Sequence, residues 1–266
     1  MTSPLDPVIA PQSAPTPPTP ATAVAPSCLR CGPLTGCTVA LFAGLLTWGI
    51  LQVGFPVFDI PKELRDLPSP QPPEMAAKAA QASVVAARWN ATLLFAILGL
   101  SVAGSLAVAE SLLRGTAGSA WWRGLLSGIL AGLCGAVAGL SASLLLKSPQ
   151  AMGGMSPLAK TISVQCLGLG LLGLGIGLGV GSTGPWRLLL NAALGGALAG
   201  LLAGFLYPTG MGYLLPNVQT EHVVPIDRTS QLIWLVAVSL LIALVITGLG
   251  KGTSNKKRDG VTPVPQ

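Results

Sequence analysis

Six long apolar runs, separated by shorter polar stretches, dominate the pattern of this chain. They cover residues 38–58, 91–110, 124–146, 162–181, 188–207 and 231–250. A helix needs about 20 mainly apolar residues, at about 1.5 Å per residue, to cross the hydrocarbon of a bilayer. The pattern therefore predicts an all-α, polytopic membrane helix bundle with about six transmembrane helices.

The second apolar run forms part of a longer predicted helix. Pro72 and Pro73 precede Glu74, which is typical of a helix start, and no helix breaker follows before the apolar run. One helix over 74–113 would be about 60 Å long, about twice the thickness of the hydrocarbon. We therefore expect its first half to lie outside the hydrocarbon.

Composition divides the rest of the chain. Residues 1–37, rich in Pro, Ala and Thr, predict a disordered tail, and 59–73, with five prolines, predict an extended linker. Between them lies the first transmembrane helix, 38–58. The helical core is expected over 74–207, followed by a loop over 208–229, the sixth transmembrane helix over 230–250 and a basic disordered tail over 251–266.

Small residues recur every four positions in the middle spans. Residues i and i+4 share a helix face, so such rows let two backbones approach closely in lipid. They predict a Gly-rich four-helix core and leave open whether the faces pack within one chain or between chains. The glycines assigned to helix packing are Gly128, Gly132, Gly173, Gly177, Gly181, Gly196, Gly200 and Gly204.

An internal repeat is visible at a shift of 64 residues. The shift places Trp122-Arg123 on Trp186-Arg187 and residues 125–140 on 189–204. Its clearest element is a glycine, seven intervening residues and an arginine preceded by tryptophan, expected to be a shared turn. The core is therefore predicted to be a hairpin of spans two and three, duplicated in parallel by spans four and five.

Composition and charge exclude two classes of protein. Charged residues make up 9% of the chain, against about 25% in soluble domains, so a water-soluble globular protein is excluded. The net charge of +6 is spread over the gaps between apolar runs, whereas nucleic-acid binding needs a dense basic patch. The expected partner is the lipid bilayer, with interfacial lipid contacts at Trp122, Arg123, Trp186 and Arg187.

Orientation follows from the basic residues beside the spans. Eight Lys/Arg lie on the side of the termini and seven on the other. The basic cluster directly after the sixth span favours cytoplasmic termini. A multi-pass location in the cell inner (plasma) membrane is the default expectation.

The sequence carries no enzyme signature, and we expect no catalytic residue, no cofactor and no metal. Cys28, Cys31 and Cys37 supply three thiols where a closed zinc site needs four ligands. Catalysis would depend on the loop residues Glu221, His222 and Asp227. Polar residues inside the spans are expected to hydrogen-bond across helices; they are Gln52, Gln165, Asn191 and Thr247.

These observations favour an integral membrane protein that is non-catalytic and acts by helix–helix assembly, as a homo-oligomer or with a membrane-protein partner. The alternative is a small membrane transporter or channel subunit built on the duplicated hairpin, which would need a polar cavity at the bilayer midplane. A third function, an intramembrane enzyme, would need Glu221, His222 and Asp227 to converge over a cleft.

Overall fold

The computed structural model describes residues 32–65, 72–146, 154–214, 223–225 and 227–255. Its helices are α1 (Pro33–Gly54), α2 (Lys62–Arg65), α3 (Pro73–Leu113), α4 (Ala117–Leu146), α5 (Pro157–Gly181), α6 (Trp186–Leu214) and α7 (Arg228–Asn255). Six of them, all except the short α2, are long and apolar enough to cross a membrane. The chain is thus an all-α bundle, as predicted, and an integral multi-pass membrane protein.

Two helix starts follow from local chemistry. α1 begins at Pro33, earlier than predicted, so residues 33–37 are helical and do not belong to a disordered tail. Proline suits the first helical position because its fixed φ is already helical and its missing N–H has no intrahelical partner there. α3 starts in the same way at Pro73 and covers the long helix predicted over 74–113. The remainder of the predicted tail, residues 1–31, lies outside the described residues.

α6 continues through Pro208 to Leu214, so the loop predicted from residue 208 begins later. Pro208 cannot donate to the carbonyl of Gly204, one turn earlier. The hydroxyl of Thr209 donates to the Phe205 carbonyl at 2.8 Å in the same turn. The helix therefore loses a single hydrogen bond close to its end, which it tolerates. Beyond the sixth span, α7 runs on to Asn255, and residues 256–266 lie outside the described part of the chain.

Two hairpins form the centre of the bundle. α3 packs along α4, and α5 packs along α6; α4 and α5 join the two pairs. α1 and α7 lie against each other and contact α3 and α6, respectively. Phe95 of α3 and Trp234 of α7 are fully buried, with ring centroids 5.6 Å apart. Large apolar side chains from α3, α5 and α7 thus fill the interior.

Glycines lie where helices approach most closely. A Cβ on Gly173 would meet the backbone of Gly196, and one on Gly196 would meet the backbone of Gly173. A Cβ on Gly128 would lie 2.9 Å from the carbonyl oxygen of Leu100, across the α3–α4 contact. At the other glycines assigned to packing, an added Cβ would likewise meet atoms of a second helix of the same chain. These glycines are Gly132, Gly177, Gly181, Gly200 and Gly204.

The turn expected to be shared by the two hairpins is not shared, and that prediction is wrong. Gly115 lies between α3 and α4 with a positive φ of 77°, whereas Gly179, its counterpart at a shift of 64, lies inside α5. Arg123 is correspondingly inside α4, while Arg187 belongs to the first turn of α6. α5 therefore extends over residues whose counterparts in the first hairpin form the turn.

Candidate functional site

A cavity of about 610 Å³ lies at one end of the bundle, where α1 ends and α7 begins. Side chains from α1, α3, α4 and α7 and the segment 223–225 form its wall. The wall consists of Leu51, Gln52, Phe55, Pro56, Ser83, Val84, Ala87, Arg88, Asn90, Ala91, Ser143, Leu146, Val223, Val224, Pro225, Arg228 and Gln231. This volume is in the range of pockets that take drug-sized molecules.

Asn90 fixes the wall where the chain leaves α1. Its side-chain Oδ1 accepts a hydrogen bond from the backbone N–H of Phe58 at 3.0 Å, and its Nδ2 donates to the Phe58 carbonyl at 2.8 Å. The ring of Phe58 also lies 6.2 Å from that of Trp89, centroid to centroid. The segment after α1 is thereby tied to α3 at the level of the cavity.

Gln165 holds the opposite wall. Its Nε2 donates to the carbonyl of Val223 at 2.7 Å, and both residues are buried. Val223 and Pro225 are turned into the protein and line the cavity. A hydrogen bond from α5 thus positions a short loop segment that forms part of the site.

Asp227 caps the start of α7. Its Oδ2 accepts hydrogen bonds from the backbone N–H of Ser230 at 3.0 Å and from the Ser230 hydroxyl at 3.2 Å. The Ser230 backbone N–H is the main reason why the pKa of Asp227 is below its ordinary value. The cap fixes the first turn of α7, which carries Arg228 and Gln231 to the cavity.

α1 meets that first turn through two polar contacts. The indole Nε1 of Trp48 donates to the Arg228 carbonyl at 3.3 Å. Gln52 Nε2 lies 3.5 Å from Gln231 Oε1, at the limit of a hydrogen bond. These contacts align the polar ends of both helices along one side of the cavity.

The described part of the cavity wall is positively charged. Its charged side chains are Arg88 and Arg228, and no Asp, Glu, His or Cys among the described residues lines it. The Nε atom of Arg88 is buried and has no hydrogen-bond acceptor among the described residues. Such an arrangement can bind and orient a molecule.

The residues predicted to contact lipid lie at the opposite end of the bundle. Trp122 and Trp186 are exposed, as is Arg187. Arg123 is partly buried, and its guanidinium lies 3.5 Å from the hydroxyl of Thr116. Neither these four residues nor the packing glycines line the cavity. The lipid contacts of the four residues stay a prediction.

The polar residues expected to bridge helices behave differently from one another. Gln52 and Gln165 make the contacts described above, both to other elements. Thr247 instead donates to the Ala243 carbonyl of its own helix, at 2.7 Å. Asn191 is exposed. An interhelical bond that the sequence did not indicate joins the hydroxyl groups of Thr47 of α1 and Ser101 of α3, which are buried and 2.7 Å apart.

The candidate metal and catalytic residues are only partly described. Cys28, Cys31, Glu221 and His222 lie outside the described residues, while Cys37 lies in α1. Asp227, the third candidate for catalysis, is engaged in capping α7. Within the described ranges, no group of three or more His, Cys, Asp or Glu side chains could hold a metal ion.

The two cavity arginines were missed by sequence reasoning. Arg88 precedes Trp89 at the start of an apolar run, a pattern that indicates an interfacial anchor. Only the packing of α7 on α1 and of α1 on α3 shows that it shares a wall with Arg228, 140 positions later. No family model matches this chain, and neither a curated protein nor a solved structure does.

Proposed function

We propose that this integral membrane protein is non-catalytic and binds a small molecule in the cavity between α1, α3, α4 and α7, as the substrate-binding part of a small membrane transporter. The observation that carries the proposal is the cavity itself, whose amide, hydroxyl and guanidinium groups converge on one space of about 610 Å³. Ligand sites commonly combine a largely apolar wall with a few such polar groups.

The position of the cavity defines which step the proposal concerns. The transporter considered from the sequence needed a polar cavity at the bilayer midplane, whereas this cavity lies where α1 ends and α7 begins. It is therefore a site at one membrane surface, where a molecule would be captured before any movement across the bilayer.

Association with itself or with a membrane-protein partner was the first function predicted from the glycine rows. In the described bundle, however, those glycines face helices of the same chain. The faces that motivated the prediction are therefore occupied, and no described contact favours association over ligand binding. Association stays a prediction without a surface assigned to it.

Filling the cavity tests the proposal. Ala87 lines the cavity, and Ala80, two turns earlier on α3, is exposed and does not line it. The full chain would be purified from membranes as wild type, Ala87→Phe and Ala80→Phe, and small molecules retained by each protein would be identified by mass spectrometry of organic extracts. We expect a molecule that wild type and Ala80→Phe retain in equal amounts and Ala87→Phe loses.

Equal retention by Ala87→Phe and wild type would contradict a ligand site in this cavity, as would the absence of any retained molecule from wild type. Thermal unfolding of both variants in detergent, at temperatures close to that of wild type, would show that the loss does not come from misfolding.

A further inference from the structure

The chemistry of the cavity wall identifies a class of ligand. We infer that the cavity binds an amphiphile with an anionic headgroup, held by Arg88 and Arg228 and with its apolar part against the aliphatic wall. This inference rests on the proposed function and adds the charge and the shape of the ligand.

The charge follows from two cations that form no ion pair among the described residues. Arg88 and Arg228 line the same space, and no described acidic residue lines it with them. Asp227 lies next to Arg228 in sequence, but its carboxylate accepts from Ser230. A phosphate or carboxylate in this space would supply charge-assisted acceptors to the guanidinium groups.

The burial of Arg88 strengthens this assignment. Its Nε atom is removed from solvent without an acceptor among the described residues, which is unfavourable for a group that carries positive charge. An anion in the cavity would stabilise that guanidinium in place. Replacing the arginine by a neutral residue should therefore lower the affinity for the anion while the protein stays folded.

The apolar part follows from the rest of the wall. Aliphatic side chains line the cavity from four elements: Leu51, Val84, Leu146 and Val223. A phosphate ion alone would leave this surface and most of the volume unfilled. Burial of an acyl chain or another apolar group there contributes about 25 cal/mol per Å².

The level of the cavity in the membrane fits such a ligand. Trp89, beside Arg88, is half exposed, as expected for a tryptophan at the headgroup level. Arg228 begins the apolar span of α7. We therefore expect the guanidinium groups at the depth of phosphate headgroups. A membrane lipid and a free fatty acid share this chemistry.

Protection of a cavity cysteine from alkylation tests the inference. Ser83→Cys would be placed in the full chain with its five natural cysteines replaced by serine, because Ser83 lines the cavity. The rate of maleimide labelling in neutral detergent would be measured with phosphatidylglycerol, oleate, phosphatidylcholine, diacylglycerol or inorganic phosphate. Ala80→Cys, exposed on the same helix and outside the cavity, controls for effects on the reagent.

We expect phosphatidylglycerol, oleate or both to protect Ser83→Cys, at concentrations where the other three probes do not. Protection by phosphatidylglycerol alone identifies a lipid, and protection by oleate alone identifies a free fatty acid. Arg88→Gln or Arg228→Gln should raise the concentration for half-protection at least about tenfold, as for loss of a hydrogen bond to a charged group. Lys62→Gln removes one exposed charge outside the cavity and should leave that concentration unchanged.

Each other outcome overturns the inference. Equal protection by diacylglycerol, with no effect of the arginine substitutions, would reject an anionic ligand and leave the proposed function intact. Equal protection by inorganic phosphate would reject the apolar part. If no probe protects and wild type also retains no molecule on purification, the proposed function fails as well. Arg88→Lys keeps the charge without the planar guanidinium, and its concentration for half-protection should lie between those of wild type and Arg88→Gln.

Discussion

Glycine at a few positions decides how closely the helices of this bundle approach. At Gly200 a Cβ would collide with the carbonyl group of Leu169 and lie 3.0 Å from the Cα of Gly170. These neighbours are backbone atoms of α5. Backbone atoms cannot move out of the way by a change of rotamer, as a flexible side chain can. At Gly49 in α1, by contrast, nothing lies within 4 Å of the same position. The two glycines have different roles although both lie in long apolar helices.

Alanine at these two positions should have opposite effects on stability. Gly200→Ala must push α5 and α6 apart, and we expect the free energy of unfolding to fall by about 1–3 kcal/mol. Gly49→Ala meets no neighbour and should change it by less than about 1 kcal/mol, toward higher stability, because alanine is the better helix former. Equilibrium unfolding in mixed micelles with increasing sodium dodecyl sulfate measures both.

Wild-type stability in Gly200→Ala would contradict close packing of α5 on α6. Should Gly200→Ala instead dissociate an oligomer while leaving the monomer fully stable, the glycine face would contact another copy, as the association hypothesis requires. Size measurement of the same samples by light scattering distinguishes these results.

At the scale of the element, α7 depends on a capped start. The Asp227 carboxylate satisfies the N–H of Ser230, one of the four N–H groups that a helix cannot pair internally. The same turn positions Arg228 and Gln231 in the cavity wall. Fraying of this turn would therefore affect both the helix and the site.

The start of α7 should be sensitive to acid. Because folding lowers the pKa of Asp227, the carboxylate stabilises the folded state at pH values above about 4, where it is ionised in both states. This stabilisation is lost as the pH falls through the lowered pKa. Hydrogen exchange at the amide of Ser230 should therefore show protection at neutral pH and loss of protection in acid, after correction for intrinsic exchange rates.

Asp227→Asn is the matched variant, since asparagine also caps helices but does not titrate in this range. Its amide protection at Ser230 should be independent of pH over the same interval. Acid-induced loss of protection that is identical in Asp227→Asn and wild type would assign the effect to another group.

The elements of this chain were predictable because each follows from a local property. Apolar length predicts the six spanning helices, and Pro72 and Pro73 predict where α3 begins. The continuation of α6 through Pro208 was not predictable from the sequence, since it depends on how close the proline lies to the helix end. The sequence predicts the same turn in both hairpins because Gly115 and Gly179 each precede a Trp-Arg pair by the same number of residues. In the structure Gly115 has a positive φ in a turn, whereas Gly179 lies inside α5.

At the scale of the whole molecule, the cavity depends on contacts that no local pattern encodes. Arg88 and Arg228 come together because α7 packs on α1 and α1 packs on α3. Gln165 was predicted to hydrogen-bond across helices, and its Nε2 also reaches the carbonyl of Val223 in a loop segment, which the pattern did not indicate. Periodicity indicates which face of a helix is buried and does not indicate which helix covers it. The small-residue rows were visible in the sequence, whereas their partners inside the chain were not.

The fold separates the cavity from the hairpin turns, and this separation gives a test of the complete topology. The first part of α3, which holds Gln81, lies at the cavity end, whereas Ser182 lies in the turn between α5 and α6 at the other end. α1 begins at that second end. With cytoplasmic termini, a membrane-impermeant maleimide should label Gln81→Cys on intact cells and label Ser182→Cys only after permeabilisation, in a background without other cysteines.

The pair of positions distinguishes an error of orientation from an error of fold. Labelling of Ser182→Cys on intact cells and of Gln81→Cys only after permeabilisation would reverse the orientation and leave the bundle unchanged, and a ligand would then reach the cavity from the cytoplasm. Labelling of both positions from the same side is incompatible with six spanning helices in this order, because α3, α4 and α5 separate Gln81 from Ser182 by three crossings. The side on which Gln81→Cys reacts is therefore also the side from which the cavity is loaded.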